Sequence, residues 1–153
     1  GFIPLETEDM AIVSDALITL DRDVTVRSRL ADSGAFLFAN ATARFVADEP
    51  HAFTLADGGV PYVLGEVGST LVFGTNTTAN LGGARPLVKG AVVATDGAEV
   101  TVDNLDCGDS SGQSFAARGA GSALTLNLKE DMIANPGNVK MSFSAAGAAL
   151  EVS

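Results

Sequence analysis

The chain has 153 residues and a formal net charge of −10 at pH 7, with 9 Lys and Arg against 19 Asp and Glu. Its length suits one domain with a hydrophobic core, and its 46% content of hydrophobic residues exceeds that of a disordered segment. Binding to a phosphate backbone needs clustered Lys and Arg, so this charge argues against a nucleic-acid binder, and we expect no nucleic-acid partner. No apolar run approaches the roughly 20 residues of a membrane-spanning helix, so we expect no membrane insertion of the mature chain.

The start of the numbering at Gly1 rather than Met predicts a matured product from which a targeting segment has been removed. Cys107 is the single cysteine, so an intrachain disulfide and the CxxC pairs of zinc or redox sites are excluded. We expect Cys107 to be a buried small hydrophobe. These features together predict a secreted protein that acts outside the cell, at the cell surface.

The first 20 residues form an N-terminal arm in this interpretation. Gly1–Asp9 combine an apolar, proline-interrupted tip with acidic residues, and an apolar stripe with a period of two follows: Met10, Ile12, Ala16, Ile18 and Leu20, interrupted by Ser14. This period predicts a half-buried strand. Met10, Val13, Leu17 and Leu20 also fit helical spacing, so residues 8–20 are either strand or helix, and the β-branched residues favour a strand.

The rest of the chain, residues 21–153, consists of short alternating runs between turn residues. This pattern is typical of an all-β fold, and we predict a single jelly-roll-like β-sandwich. The predicted strands are residues 23–30, 35–40, 42–47, 53–56, 60–64, 69–76, 87–95, 98–105, 114–118, 123–129, 139–143 and 150–152.

The strongest local prediction is an antiparallel hairpin. Residues 87–95 and 98–105 flank Asp96-Gly97, and an Asp-Gly pair supplies the positive φ values of a two-residue hairpin turn. The preceding segment, residues 77–86, contains Gly82-Gly83 and is predicted to be an exposed loop. A short helical turn is predicted at residues 129–134. The sequence contains no internal repeat of fixed period.

Catalysis is the least favoured function. Gly108-Asp-Ser-Ser-Gly112 matches the G-x-S-x-G pattern, and a serine hydrolase would pair Ser110 with His51, the single histidine. The residues after this motif lack the apolar face of the helix that a hydrolase elbow requires. We therefore predict that the protein is not an enzyme, with a hydrolase as a remote alternative.

Two kinds of ligand or modification site are candidates. Asp103, Asp106 and Asp109 could supply oxygen ligands to calcium, but their spacing matches no EF-hand, and a solvated acidic loop is the simpler interpretation. We expect no other cofactor. Asn40-Ala-Thr42 and Asn76-Thr-Thr78 are N-glycosylation sequons, which makes Asn40 and Asn76 candidate attachment sites in an exported protein.

The overall pattern, with phrases such as Asp23-Val-Thr-Val26 followed by Ala35-Phe-Leu-Phe38, resembles TasA/camelysin-like and archaeal pilin-type subunits. The resemblance implies a structural subunit of a pilus or biofilm-matrix fibre, a homopolymer in which the N-terminal strand of each subunit enters its neighbour. It implies that the residues that enter the neighbour are Phe2, Ile3 and Leu5, or Met10, Ile12, Ala16, Ile18 and Leu20. A viral capsid decoration or coat protein is the alternative.

Overall fold

The computed structural model describes residues 6–8, 11–28, 35–57, 62–83, 85–106, 113–128, 140–143 and 149–152. These residues form sixteen strands joined by turns and irregular segments. All strand pairings among them are parallel.

The strands lie in three sheets, which we number in the order in which a complete coil passes through them. Sheet 1 contains β1 (Glu6–Glu8), β3 (Val24–Ser28), β6 (His51–Asp57), β9 (Thr77–Asn80), β12 (Glu99–Leu105), β14 (Ala123–Leu128) and β16 (Ala149–Val152). Sheet 2 contains β4 (Ala35–Leu37), β7 (Val63–Gly65) and β10 (Leu87–Val88). Sheet 3 contains β2 (Ala16–Leu20), β5 (Thr42–Ala47), β8 (Thr70–Phe73), β11 (Ala91–Thr95), β13 (Ser114–Arg118) and β15 (Lys140–Phe143).

The chain winds through the sheets in rotation, so the architecture is a parallel β-solenoid. Each coil contributes one strand to sheet 1 and one to sheet 3, and each strand pairs with its counterparts in the coils before and after it. Single bridges, Ile12 to Leu37 and Leu87 to Asp106, extend sheet 2 by one coil at either end. A strand can bury its inward face only against the other sheets of its own and neighbouring coils, so the stacked coils share one continuous core.

The predicted β-sandwich is therefore wrong, although most predicted strands form. An alternating apolar pattern shows which face of a strand is buried but carries no information about the direction of its neighbour. The predicted hairpin shows the consequence: Asp96 (φ 54°) and Gly97 (φ 83°) do make the turn, and Ala98 N donates to Thr95 O at 3.1 Å. This turn leads from sheet 3 to sheet 1, so β11 and β12 lie in different sheets and do not pair.

The prediction of an exposed loop at residues 77–86 is also wrong for its first four residues. Residues 77–80 form β9, which lies between β6 and β12 in sheet 1. Thr77, Ala79 and Leu81 are buried. The segment is rich in turn-forming residues, but pairing on both sides and a buried side chain at every second position favour a strand over those local preferences.

The coils differ in length. Val24 pairs with Phe53, 29 residues later, whereas Ala79 pairs with Val100, only 21 residues later. A solenoid of this kind has a structural repeat without a fixed sequence period, so the repeat is not visible in the sequence as a constant spacing.

The core consists of rows of inward-facing side chains stacked along the solenoid. Phe45 and Phe73 occupy adjacent positions in one row of sheet 3, and their ring centroids are 5.0 Å apart. Phe53, from the facing row of sheet 1, lies 4.6 Å from Phe45 and 5.9 Å from Phe73. These three fully buried rings pack the second and third coils together across the interior.

Candidate functional site: the open edges of the two large sheets

The open edges of sheets 1 and 3 are the most distinctive surface of the described chain. In sheet 3, β2 and β15 each have a described neighbour on one side only, and the same holds for β1 and β16 in sheet 1. A strand in this position presents unpaired amide and carbonyl groups, which can pair with a strand of another chain.

The peptide groups of β2 that face the open side follow from the pairing of its neighbour. Leu20 pairs with Ala47, whose amide donates forward to Thr75 O at 2.9 Å. Peptide groups along a strand point alternately to its two sides, and equivalent positions in parallel strands point the same way. The Leu20 amide therefore points toward β5, as the Ala47 amide points toward the following coil. The amides of Leu17 and Thr19 lie three positions and one position before Leu20, so they point away from β5, toward the open edge.

An exposed apolar surface accompanies this edge. Val13 and Leu17 are 68% and 63% exposed, and they belong to the first coil. Val67, on the turn before β8, is the third large hydrophobic side chain with such exposure among the described residues. The segment Ala16–Leu20 contains neither proline nor a charged residue, the features that commonly protect an edge strand.

The structure places the inward stripe of the predicted arm inside its own chain. Ile12, Ile18 and Leu20 are buried in the solenoid core, and Ala16 packs against that core. Residues 16–20 are a strand, and residues 11–15 are not helical. Phe2, Ile3, Leu5 and Met10 lie outside the described residues.

Sequence reasoning missed Val13 and Leu17 as candidate contact residues. They occupy the odd positions, on the face of the segment opposite to the buried stripe, and were considered only as part of a helical pattern. The available signal was the composition of the segment: Leu17 is apolar at a position where an alternating strand with one solvated face would carry a polar residue.

The acidic candidates do not form a metal site in the described part of the chain. Asp103 is exposed on β12, and its Oδ1 accepts a hydrogen bond from Asn127 Nδ2 in the next coil. Asp106 lies at the bridge to Leu87, and Asp109 is outside the described residues. The residues that the structure describes contain no group of three or more His, Cys, Asp and Glu placed to hold a metal ion.

The proposed catalytic pair cannot be assembled from the described residues. His51 begins β6, and its Nδ1 lies 3.5 Å from Asp23 Oδ1 on the preceding coil. Ser110, its proposed partner, falls outside the described residues, as do Cys107 and the helical turn predicted at residues 129–134.

The two sequon asparagines occupy corners of the solenoid, and both have positive φ values, 59° for Asn40 and 57° for Asn76. The Asn76 amide nitrogen donates to Ala47 O at 3.2 Å and to Asp48 O at 2.9 Å, so it joins two coils. A glycan on that nitrogen would remove one of its two N–H donors. Both asparagines are exposed. A glycan on Asn40 would leave the two hydrogen bonds of Asn76 intact.

No family model matches the chain, and no curated protein or solved structure is significantly similar to it. The part of the chain that the structure describes contains no helix long and apolar enough to cross a membrane.

Proposed function

We propose that the protein is a structural subunit of an extracellular filament, a homopolymer whose subunits join end to end through the open edges of sheets 1 and 3. The observation that carries this proposal is the unprotected edge of β2, a five-residue strand with outward-pointing amides beside the exposed side chains of Val13 and Leu17. Pairing with another copy would satisfy these amides and cover apolar surface.

The solenoid geometry favours a polymer over a closed dimer. Within each sheet the described strands are parallel, so the first edge of one copy and the last edge of another can continue the same parallel sheet. Such a joint is heterologous, because different surfaces of the two copies meet. A heterologous joint that does not close into a ring produces an open filament.

The fold changes how subunits would join. Because the described fold is a solenoid and not a β-sandwich, we propose strand addition at a sheet edge in place of the insertion of an N-terminal strand into a groove. The equivalent step in a solenoid is the addition of coils to an open sheet edge, which gives affinity through main-chain hydrogen bonds.

The test is the assembly state of the purified 153-residue chain. We expect the sedimentation coefficient to rise with protein concentration, and electron micrographs to show unbranched filaments of uniform width. Salt is expected to promote assembly, because it screens the repulsion between copies that each carry a net charge of −10. Monodisperse monomers at all concentrations and salt levels would contradict the proposal.

A further inference from the structure

The corner between sheets 2 and 3 contains two stacked turns, residues 38–41 in the second coil and residues 66–69 in the third. A hydrogen bond from the fourth amide to the first carbonyl closes each turn, at 3.2 Å in the first and 3.0 Å in the second. The third residue of each turn has a positive φ, 59° for Asn40 and 77° for Gly68. The two turns are therefore equivalent, and Asn40 lies next to Gly68.

The next coil fixes the backbone of the first turn. Asn40 N donates to Val67 O at 3.3 Å, and Ala39 N donates to Glu66 Oε2 at 3.0 Å. The side chain of Asn40 differs from its backbone in this respect, because in the described part of the chain its amide makes no hydrogen bond. The corner is thus a fixed base that carries an exposed, unbonded amide.

Gly68 sets the orientation of this amide. A Cβ at Gly68 would overlap Asn40 Oδ1 and lie 3.3 Å from Asn40 Cγ, so the oxygen side of the amide occupies the space that a side chain would take. The two branches of an amide point in different directions, so Nδ2 points away from Gly68. Nδ2 is the atom that bears the sugar in an N-glycosylated asparagine.

The second sequon lacks this arrangement. Asn76 Nδ2 donates to Ala47 O at 3.2 Å and to Asp48 O at 2.9 Å. A sugar on Nδ2 leaves one N–H, so one of these two bonds between coils would be lost. Thr42 and Thr78, which complete the two sequons, are both exposed. The partners of the asparagine nitrogen, and not access to the threonine, therefore distinguish the two sites.

An uncovered apolar side chain lies beside Asn40. Val67 is 61% exposed, and it belongs to the third coil, whereas Val13 and Leu17 belong to the first. Because its carbonyl accepts the bond from Asn40 N, the two residues are neighbours. A sugar ring has an apolar face of C–H groups, and packing this face on an aliphatic side chain removes apolar surface from water.

We infer that Asn40 carries an N-linked glycan whose first sugar packs over Val67, and that Asn76 stays unmodified. This inference goes beyond the proposed filament. It requires export of the chain but no assembly.

The donor in this modification is an oligosaccharide joined to a lipid phosphate, which the exporting cell supplies together with the transferase. Asn40 Nδ2 attacks the anomeric carbon of the first sugar. A C–N bond forms, the C–O bond between sugar and phosphate breaks, and the lipid phosphate leaves with the electron pair of that bond. Nδ2 gives one proton to a base of the transferase.

Secretion of the chain from yeast, which supplies donor and transferase, tests the site. Thr42→Val and Thr78→Val are matched variants, because each keeps its asparagine and the β-branched shape and removes the hydroxyl of one sequon. Mass spectrometry of intact chains and of their peptides locates the glycans. We expect one glycan, on residue 40, in the unmodified sequence and in Thr78→Val, and none in Thr42→Val.

A glycan on residue 76, with or without one on residue 40, would overturn the inference. Secreted chains without any glycan would overturn it as well. Neither result bears on the proposed filament, whose test is the assembly state.

The contact with Val67 is tested by urea denaturation of glycosylated chains trimmed to the first sugar with an endoglycosidase. These are compared with Thr42→Val chains, which carry no sugar, and the comparison is repeated with Val67→Ser in both. We expect the sugar to raise the urea midpoint when Val67 is present, and to raise it less in the serine background. An equal shift in the two backgrounds, or no shift in either, would show that the sugar does not cover Val67.

Discussion

Short polar side chains hold successive coils together at the corners of the solenoid. Asp15 Oδ1 accepts a hydrogen bond from the Thr42 amide at 2.8 Å, and Asp23 Oδ1 accepts one from the Ala52 amide at 2.9 Å. In both cases the carboxylate belongs to one coil and the amide to the next. The acids satisfy backbone donors where the sheet ladder stops, so part of the negative charge of the chain has a structural role.

Asn76 makes the most demanding of these corner contacts, because it has a left-handed backbone and its amide bonds two carbonyls of the preceding coil. We expect Asn76→Gly to lower the free energy of unfolding by about 1 kcal/mol, since it loses the bonds but keeps the backbone freedom. Asn76→Ala adds the cost of a Cβ at positive φ, for a total of about 2 kcal/mol. Urea denaturation measures both losses.

Equal stability of the unmodified chain and both variants would show that the amide bonds contribute nothing. Equal losses in the glycine and alanine variants would show that the backbone conformation at this corner carries no cost.

Tyr62 is the single tyrosine and is 2% exposed. Its hydroxyl has no hydrogen-bond partner of good geometry among the described residues, although Gly83 packs so closely that a Cβ there would lie 2.9 Å from Tyr62 Cε1. Burial raises the pKa of the phenol above its ordinary value, and the charge of Asp57 raises it further, while the nearby Gly83 backbone opposes the shift. The neutral phenol is therefore favoured in the folded state.

A raised pKa in the folded state means that the unfolded chain releases the proton first. The contribution of Tyr62 is fully present below the unfolded pKa of about 10, and it is lost as the pH rises from there through the folded pKa. We expect the free energy of unfolding to fall above about pH 10 in the unmodified chain, and less steeply in Tyr62→Phe. Urea denaturation at several alkaline pH values measures the difference, and identical slopes would contradict this account.

At the level of elements, the corners between sheets 3 and 1 share one construction in three successive coils. Thr77 N donates to Gly74 O, Ala98 N to Thr95 O, and Ser122 N to Gly119 O. Each bond closes a four-residue turn that contains residues with positive φ, Asn76, Asp96 with Gly97, and Gly121. A turn that joins antiparallel strands in a hairpin here joins strands of two sheets, so turn type alone does not decide the pairing of the flanking strands.

The open edge of β2 allows a substitution that affects assembly with little effect on the fold. The Thr19 amide points to the open side, so Thr19→Pro removes a donor that β5 does not use, and it blocks an incoming strand. We expect this variant to fold and to stay monomeric. Thr19→Val keeps the amide and the β-branched shape, and it should assemble as the unmodified chain does.

Sedimentation velocity and circular dichroism of both Thr19 variants make the comparison. Filaments of the proline variant with the yield of the unmodified chain would show that the edge of β2 takes no part in the joint.

For the whole molecule, a solenoid predicts that an entire coil can be removed. Phe73 pairs with Ala94 in sheet 3, so deletion of residues 74–94 connects Phe73 to Thr95 in the register of the lost coil. Because each coil contacts chiefly its neighbours, we expect a shorter chain that still folds. Deletion of residues 74–86 is the control, since it joins sheet 3 directly to the sheet 2 strand at Leu87 and breaks the rotation through the sheets.

Circular dichroism and urea denaturation report on both deletions. We expect cooperative unfolding of the 74–94 deletion and loss of structure in the control. A reversed order would contradict the coil register.

The sequence predicted the strands much better than their arrangement. The alternation at 42–47, 114–118 and 123–129 located β5, β13 and β14 to within a residue, because burial of one face acts locally on every second side chain. The Asp96-Gly97 turn was also predicted with positive φ values. The candidate site was predicted less well, because the exposed Leu17 differs from the buried Ile18 only in the side of the strand that it occupies.

The sequence by itself determined that the chain is an acidic all-β protein, where some of its strands begin and end, and that the backbone turns at Asp96-Gly97. The tertiary structure decided that the strands are parallel, that Ile12, Ile18 and Leu20 complete the chain's own core, and that β2 has a neighbour on one side only among the described strands. The physical reason is that alternation and turn propensity are local, whereas strand direction and partner depend on contacts between residues 19 to 29 positions apart.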